Sequence, residues 1–211
     1  MILDIHTHHA APQPLGIIDV SQSDLGTFVP ADGQLYSVGI HPWNTVDPVP
    51  EESWKRVEEL LRLPCFAAVG EGGVDLSGRG GMLFRQLQVF KRLIELSESL
   101  AKPLIVHCVK AEDIICGLIR DLRPTQPWII HGFRKKPATA QQLLRAGCWL
   151  SLGPLFNPDT LREIPDDRLL AETDDSSLDI QQVIQNLSNV RNKDLTDIIA
   201  ANAASVTHLN N

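Results

Sequence analysis

Short apolar runs recur along the whole chain, and most of them stop on a histidine or an acid. Residues 2–6, 35–40, 66–70, 104–107, 128–131 and 169–172 end on or just before His6, His8, His41, Glu71, His107, His131 and Asp174. Residues 16–20 and 149–152 are runs of the same kind. That makes about eight candidate strands, the number that closes a parallel barrel. Amphipathic stretches lie between them. Helical spacing puts Trp54, Val57, Leu60 and Leu61 on one face of residues 51–63. The same spacing makes Leu83, Leu87, Phe90, Leu93, Ile94 and Leu96 the stripe of residues 81–100. Further helices are expected over 111–122, 137–146, 179–187 and from 195 to about 204. Strands alternating with helices of this length predict βαβ units, hence an α/β fold of the TIM-type (β/α)8 barrel class. Residues 9–34 carry Pro12, Pro14, Gly16, Gly26, Pro30 and Gly33 without helical periodicity, so the first helices are expected to be shortened or missing. The 211 residues fit a single domain, 1–211.

Composition narrows the function classes. A net charge of −7 argues against non-specific, high-affinity nucleic-acid binding. It does not exclude an enzyme acting on phosphates, because bound cations invert the local field. Arg134-Lys135-Lys136 is a basic patch directly after His131. No run approaches the roughly 20 apolar residues that span a bilayer. The start, Met1-Ile2-Leu3-Asp4, lacks the pattern of a signal peptide. Cys65, Cys108, Cys116 and Cys148 show no paired spacing and read as reduced thiols. The expectation is a cytoplasmic protein with no membrane association and no evident protein partner.

In an α/β barrel the functional residues stand at the C-terminal ends of the strands, where these histidines and acids fall. Residues i and i+2 of a strand point to one face, so His6 and His8 can grip one cation together. Imidazole with carboxylate suits zinc, and carboxylate-rich sites also hold magnesium or manganese. A lone histidine ending an apolar run is more often structural, yet seven such placements are hard to reconcile with that reading. Asp4 is read as a neighbour that fixes an imidazole. Asp75 is read equally as such a neighbour or as a turn cap. His9 is read as structural or exposed, and His208, beyond the last helix, as solvated.

Six segments occur in one order: Asp4-Ile5-His6-Thr7-His8, Gly39-Ile40-His41-Pro42, Gly70-Glu71-Gly72-Gly73-Val74-Asp75, Lys102-Pro103-Leu104-Ile105-Val106-His107-Cys108, His131-Gly132-Phe133 and Glu172-Thr173-Asp174. Together with Phe84-Arg85-Gln86-Leu87 and Asn202-Ala203-Ala204, this set resembles the TatD family of metal-dependent hydrolases, within the amidohydrolase-like barrels, over nearly the whole chain. The resemblance implies two divalent ions, zinc, magnesium or manganese. His6, His8 and Asp174 would hold one, His107 and His131 the other, and Glu71 would bridge them. Glu71, Asp174 and His41 would be catalytic, with Asp174 taking the proton of the attacking water. His41, Lys110, Arg134 and Lys135 would bind substrate. The implied substrate is DNA, as single strands or 3′ ends, cleaved by a phosphodiesterase or deoxyribonuclease reaction.

Some features depart from that pattern. The chain is short for the family, and the segment after Asp174 is compact. Leu76 follows Asp75 where an aromatic residue is often seen, and Val206-Thr207-His208 replaces the usual aromatic ending. These differences bear on substrate rather than on the metal residues. An amidohydrolase-type reaction on an amide, lactone or other small molecule is the alternative. Related barrels of that kind often bridge their metals with a carboxylated lysine, where this chain has Glu71. A degenerate, non-catalytic barrel is a third reading, opposed by the complete ligand set.

Overall fold

The computed structural model describes residues 1–9 and 16–209. Eight strands form one sheet in chain order: β1 Asp4–Thr7, β2 Gly16–Asp19, β3 Leu35–Val38, β4 Phe66–Asp75, β5 Leu104–Val109, β6 Trp128–Ile130, β7 Trp149–Leu152 and β8 Leu169–Ala171. Every adjacent pair is parallel. A parallel bridge between Thr7 and Asp174 links the two ends of the sheet. There the Asp174 N–H donates to the His6 carbonyl at 3.0 Å, and the His8 N–H donates to the Asp174 carbonyl at 3.2 Å. The sheet is thus a nearly closed (β/α)8-type barrel, as expected from the alternation.

The helices are α1 Glu51–Leu61, α2 Leu83–Leu100, α3 Glu112–Leu122, α4 Pro137–Arg145, α5 Pro158–Glu163, α6 Ile180–Arg191 and α7 Thr196–Thr207. Among the described residues no α-helix precedes α1, so the early helices of the barrel are absent from residues 16–50. The remainder of the irregular stretch, residues 10–15, lies outside the described residues. The short α5 was not expected. Its signal is local: Asn157 accepts the N–H groups of Asp159 and Thr160, and Pro158 opens the helix. Asp179, expected inside α6, is instead its N-cap, in a capping box with Gln182. No described helix is long and apolar enough to cross a membrane.

The barrel interior explains where the polar residues stand. Ile5, Ile17, Ile105, Ile129 and Leu170 pack together, with Ala203 and Val206 of α7 in the same cluster. Trp54, Val57, Phe90 and Leu93 of the helices belong to a second cluster. Side chains alternate faces along a strand. Two residues beyond Ile17, Ile105, Ile129 and Leu170 come Asp19, His107, His131 and Glu172. The same period that buries the isoleucines therefore aims these groups into the C-terminal mouth. β4 runs beyond its expected end at Gly70 as far as Asp75. Gly73 lies directly beside β5. A Cβ there would sit 2.0 Å from the His107 carbonyl oxygen, so only glycine lets β4 pair onward along β5.

Candidate metal centre

Glu71 sits at the middle of the mouth, buried, with its two oxygens turned to different partners. Oε1 lies 2.6 Å from His107 Nδ1, 2.6 Å from His131 Nε2 and 3.2 Å from His41 Nε2. Oε2 lies 3.5 Å from His6 Nε2 and 3.8 Å from His8 Nε2. Asp174 Oδ1 is 3.7 Å and 3.5 Å from the same two nitrogens. His6, His8 and Asp174 therefore form one nest of donors, and His107, His131 and His41 converge on the other oxygen of Glu71. Groupings of three from these residues bring ligand atoms within 4.8 Å of one another.

Behind three of the imidazoles stands another carboxylate. Asp75 Oδ2 is 3.1 Å from His107 Nε2, Glu172 Oε1 is 3.6 Å from His131 Nδ1, and Asp19 Oδ2 is 4.0 Å from His8 Nδ1. Such partners fix ring orientation and tautomer in metal sites. His107 spans two carboxylates, Nε2 toward Asp75 and Nδ1 toward Glu71 at 2.6 Å. The two ring nitrogens of His6 are buried without a hydrogen-bond partner. The donor set, imidazoles plus carboxylates, suits divalent metal.

The electrostatics fit the same picture. Burial alone would raise the Glu71 carboxyl, but the His131 charge and hydrogen bonds from His107, His131 and His41 hold it well below the usual range. Asp174 is lowered by its bond with His8, and that bond pushes His8 up to about 9. Burial disfavours a charge on His131, but Glu71 and Glu172 outweigh it and raise the imidazole well above its usual value. Asp19 is pushed up to about 6, chiefly by burial. Cations in the nests would replace the protons that these attractions favour.

A cavity of about 510 Å³ opens beside the centre. His107 and His131 line it, with Phe133, Arg134, Leu155 and Asp174 among the others.

A family model described as TatD related DNase matches residues 30–208. This chain belongs to the TatD-related DNase family of metal-dependent hydrolases. It is 28% identical over 205 residues to an uncharacterized metal-dependent hydrolase, YcfH, of Escherichia coli K12, a match covering 84% of this chain and 75% of that one. It is 29% identical over 147 residues to a 3′-5′ ssDNA/RNA exonuclease TatD of Erwinia billingiae, covering 65% of this chain and 56% of the relative. The crystal structure of YjjV, a TatD homologue from Escherichia coli K12, superimposes with a TM-score of 0.83 at 18% identity, over 99% of this chain and 98% of that one. The likeness to YjjV shows that the TatD barrel is shared.

Not every expected residue falls at the TatD-like centre. Arg134 and Lys135 line the cavity, but Lys135 Nζ is also 3.9 Å from Glu112. Lys110 is exposed and is not among the cavity-lining residues. Asp4 does not hold an imidazole. Its carboxylate accepts the Thr173 N–H at 3.0 Å and faces the Thr173 hydroxyl at 2.6 Å, at the seam between β1 and β8. Asp75 fills both readings offered for it: Oδ2 meets His107, and Oδ1 accepts the Ser77 N–H at 2.7 Å as a turn cap. His9 and His208 are exposed. Sequence reasoning missed Asp19, Trp43 and Glu172. Asp19 carried a usable signal, since it too ends an apolar run, Gly16-Ile17-Ile18. Trp43 carried none, because its role depends on a neighbour far along the chain.

Proposed function

We propose that this chain is a two-metal phosphodiesterase acting on nucleic acid, a deoxyribonuclease working on single strands at their 3′ ends. The observation that carries this reading is the division of Glu71 between two donor sets, Oε1 toward His107 and His131 and Oε2 toward His6 and His8. Divalent ions in those two nests, zinc, magnesium or manganese, would acidify water and neutralise phosphoryl charge. Glu71 holds the nests in register. Asp174 lies at the boundary of nest and cavity, ionised and partly exposed, so it accepts the proton of an attacking water. His41 accepts the Trp43 N–H at Nδ1, so its Nε2 carries the proton and donates toward the reacting centre. Arg134 and Lys135 neutralise phosphate oxygens from the cavity wall. The nuclease names of relatives, such as the Erwinia exonuclease and the human deoxyribonuclease TATDN3, support the choice of bond.

The test is cleavage of 3′-labelled single-stranded DNA by chelator-treated protein resupplied with Mg²⁺, Mn²⁺ or Zn²⁺. Cleavage that needs metal and is lost in Glu71→Ala is the expected result. Metal uptake without cleavage under any of the three ions would sink the nuclease reading.

A further inference from the structure

Trp43 stands at the edge of the centre and does not line the 510 Å³ cavity. Its indole centroid is 4.7 Å from the His41 ring and 6.0 Å from His107. His131, on the cavity side, is 5.5 Å from His107. The centre thus has a cavity that His107 and His131 line and, outside that lining, an aromatic ring near His41 and His107. Trp43 is 41% exposed, which is unusual for so large a side chain held in place. What holds it is the indole N–H, which donates to Asp75 Oδ2 at 2.6 Å.

Arg79 lies over this ring, its Cζ 4.9 Å from the indole centroid. Among the described residues Arg79 pairs with no carboxylate, unlike Arg56, Arg92, Arg120, Arg162 and Arg191. Its segment is anchored at both ends. Buried Gln86 accepts the Asp75 N–H at 2.7 Å and donates to the Asp75 and Gly81 carbonyls at 3.0 and 2.7 Å. Gly81 presses so closely on the turn carrying Trp43 that a Cβ there would sit 2.1 Å from the Thr45 oxygen. Met82 and Phe84 follow, 67% and 66% exposed. An exposed indole and a free guanidinium therefore sit together beside the centre, on segments held by Asp75 and Gln86.

We propose that Trp43 and Arg79 form a nucleobase subsite, in which the indole stacks a base next to the scissile phosphate and the guanidinium neutralises an adjoining phosphate. This rests on the nuclease reading. Aromatic faces with an arginine beside them are how single strands are held without base-pair readout. The cavity lined by His107 and His131 takes a neighbouring nucleotide.

The experiment uses the full chain with whichever of Mg²⁺, Mn²⁺ or Zn²⁺ supports cleavage. Substrates are single-stranded oligonucleotides with one abasic residue placed in turn at each 3′-terminal position. At one position, loss of the base is expected to raise KM about tenfold, the usual worth of one stacked base. Trp43→Leu abolishes that penalty. Trp43→Phe keeps a ring but drops the N–H to Asp75, so it retains the penalty while kcat falls. Arg79→Ala raises KM for every oligonucleotide and lowers the salt slope of binding by about one. An identical abasic profile in Trp43→Leu and wild type overturns the subsite, as does an unchanged salt slope in Arg79→Ala. Wild-type protein that cleaves none of the oligonucleotides overturns the nuclease reading itself, and the subsite with it.

Discussion

Asp19 accepts the backbone N–H of Glu71 at 2.8 Å through Oδ1, and its Oδ2 lies 4.0 Å from Nδ1 of His8. One buried carboxylate on β2 thus orients both the central glutamate of β4 and a histidine that follows β1. Ser37 steadies it by donating to Oδ1 at 3.0 Å. Asp19→Ala should weaken divalent-metal affinity by about 10- to 100-fold, the usual effect of losing such a support. Asp19→Asn, whose carbonyl can still accept the Glu71 N–H, should lose less. Titration calorimetry with Mn²⁺ or Zn²⁺ checks this; equal affinities in wild type and Asp19→Ala would falsify the role.

Removing metal should loosen the protein without unfolding it. The barrel has its own apolar interior, so the fold does not depend on the ions as a small metal-nucleated domain does. A ligand at about 100 times its Kd adds roughly 2.7 kcal/mol of stability. For a chain of this size that corresponds to about 5–10 °C in Tm. Calorimetric scans with EDTA and with excess Mn²⁺ should differ by that order, with far-UV circular dichroism unchanged. Glu71→Ala should flatten the difference.

The seam between β1 and β8 should be sensitive to pH. Burial pushes Asp4 up to about 7, from an ordinary value of 3.8. An acid whose folded pKa is raised contributes fully at low pH and loses that contribution as pH rises from about 4 through about 7. Protonated Asp4 can donate to the Thr173 hydroxyl, which in turn donates to Thr7 Oγ1 at 2.8 Å. Asn at position 4 keeps that pattern without the titration. Urea unfolding in EDTA should therefore show Asp4→Asn gaining on wild type between pH 4 and 8. Parallel profiles for the two proteins would exclude Asp4 as the cause.

Gln86 should matter more than a helix-surface glutamine. Its amide satisfies backbone groups of Asp75 and Gly81 from a buried position on α2. Gln86→Leu leaves those groups unpaired, at a cost of about 1–3 kcal/mol. It should also raise hydrogen exchange at residues 76–81. A variant with wild-type stability and protection would show the amide to be dispensable.

Much of this architecture was readable in the chain. Strands alternating with helices implied the barrel, because an apolar run of strand length and an amphipathic run of helix length have few other ways to bury themselves. The residues ending those runs, His6, Glu71, His107, His131 and Asp174, do converge, because the alternation that buries Ile105 also aims His107 inward. Less visible were features without a periodic signature. The onward course of β4 past Gly70 depends on its glycines meeting β5, a contact with no periodic signature. The six-residue α5 was too short to show a stripe, although its cap was in plain view.

The sequence by itself determined the fold class and which strand ends carry imidazoles and carboxylates, since side-chain period and residue type are local properties. Only the tertiary structure decided which oxygen of Glu71 meets which histidine. It also turned Asp4 toward Thr173 instead of an imidazole, set Asp19, Asp75 and Glu172 behind the rings, and brought Trp43 under Arg79. Each of these pairs joins different strands or turns, often far apart in the chain. Their contact is set by barrel closure and strand register, which no local pattern encodes.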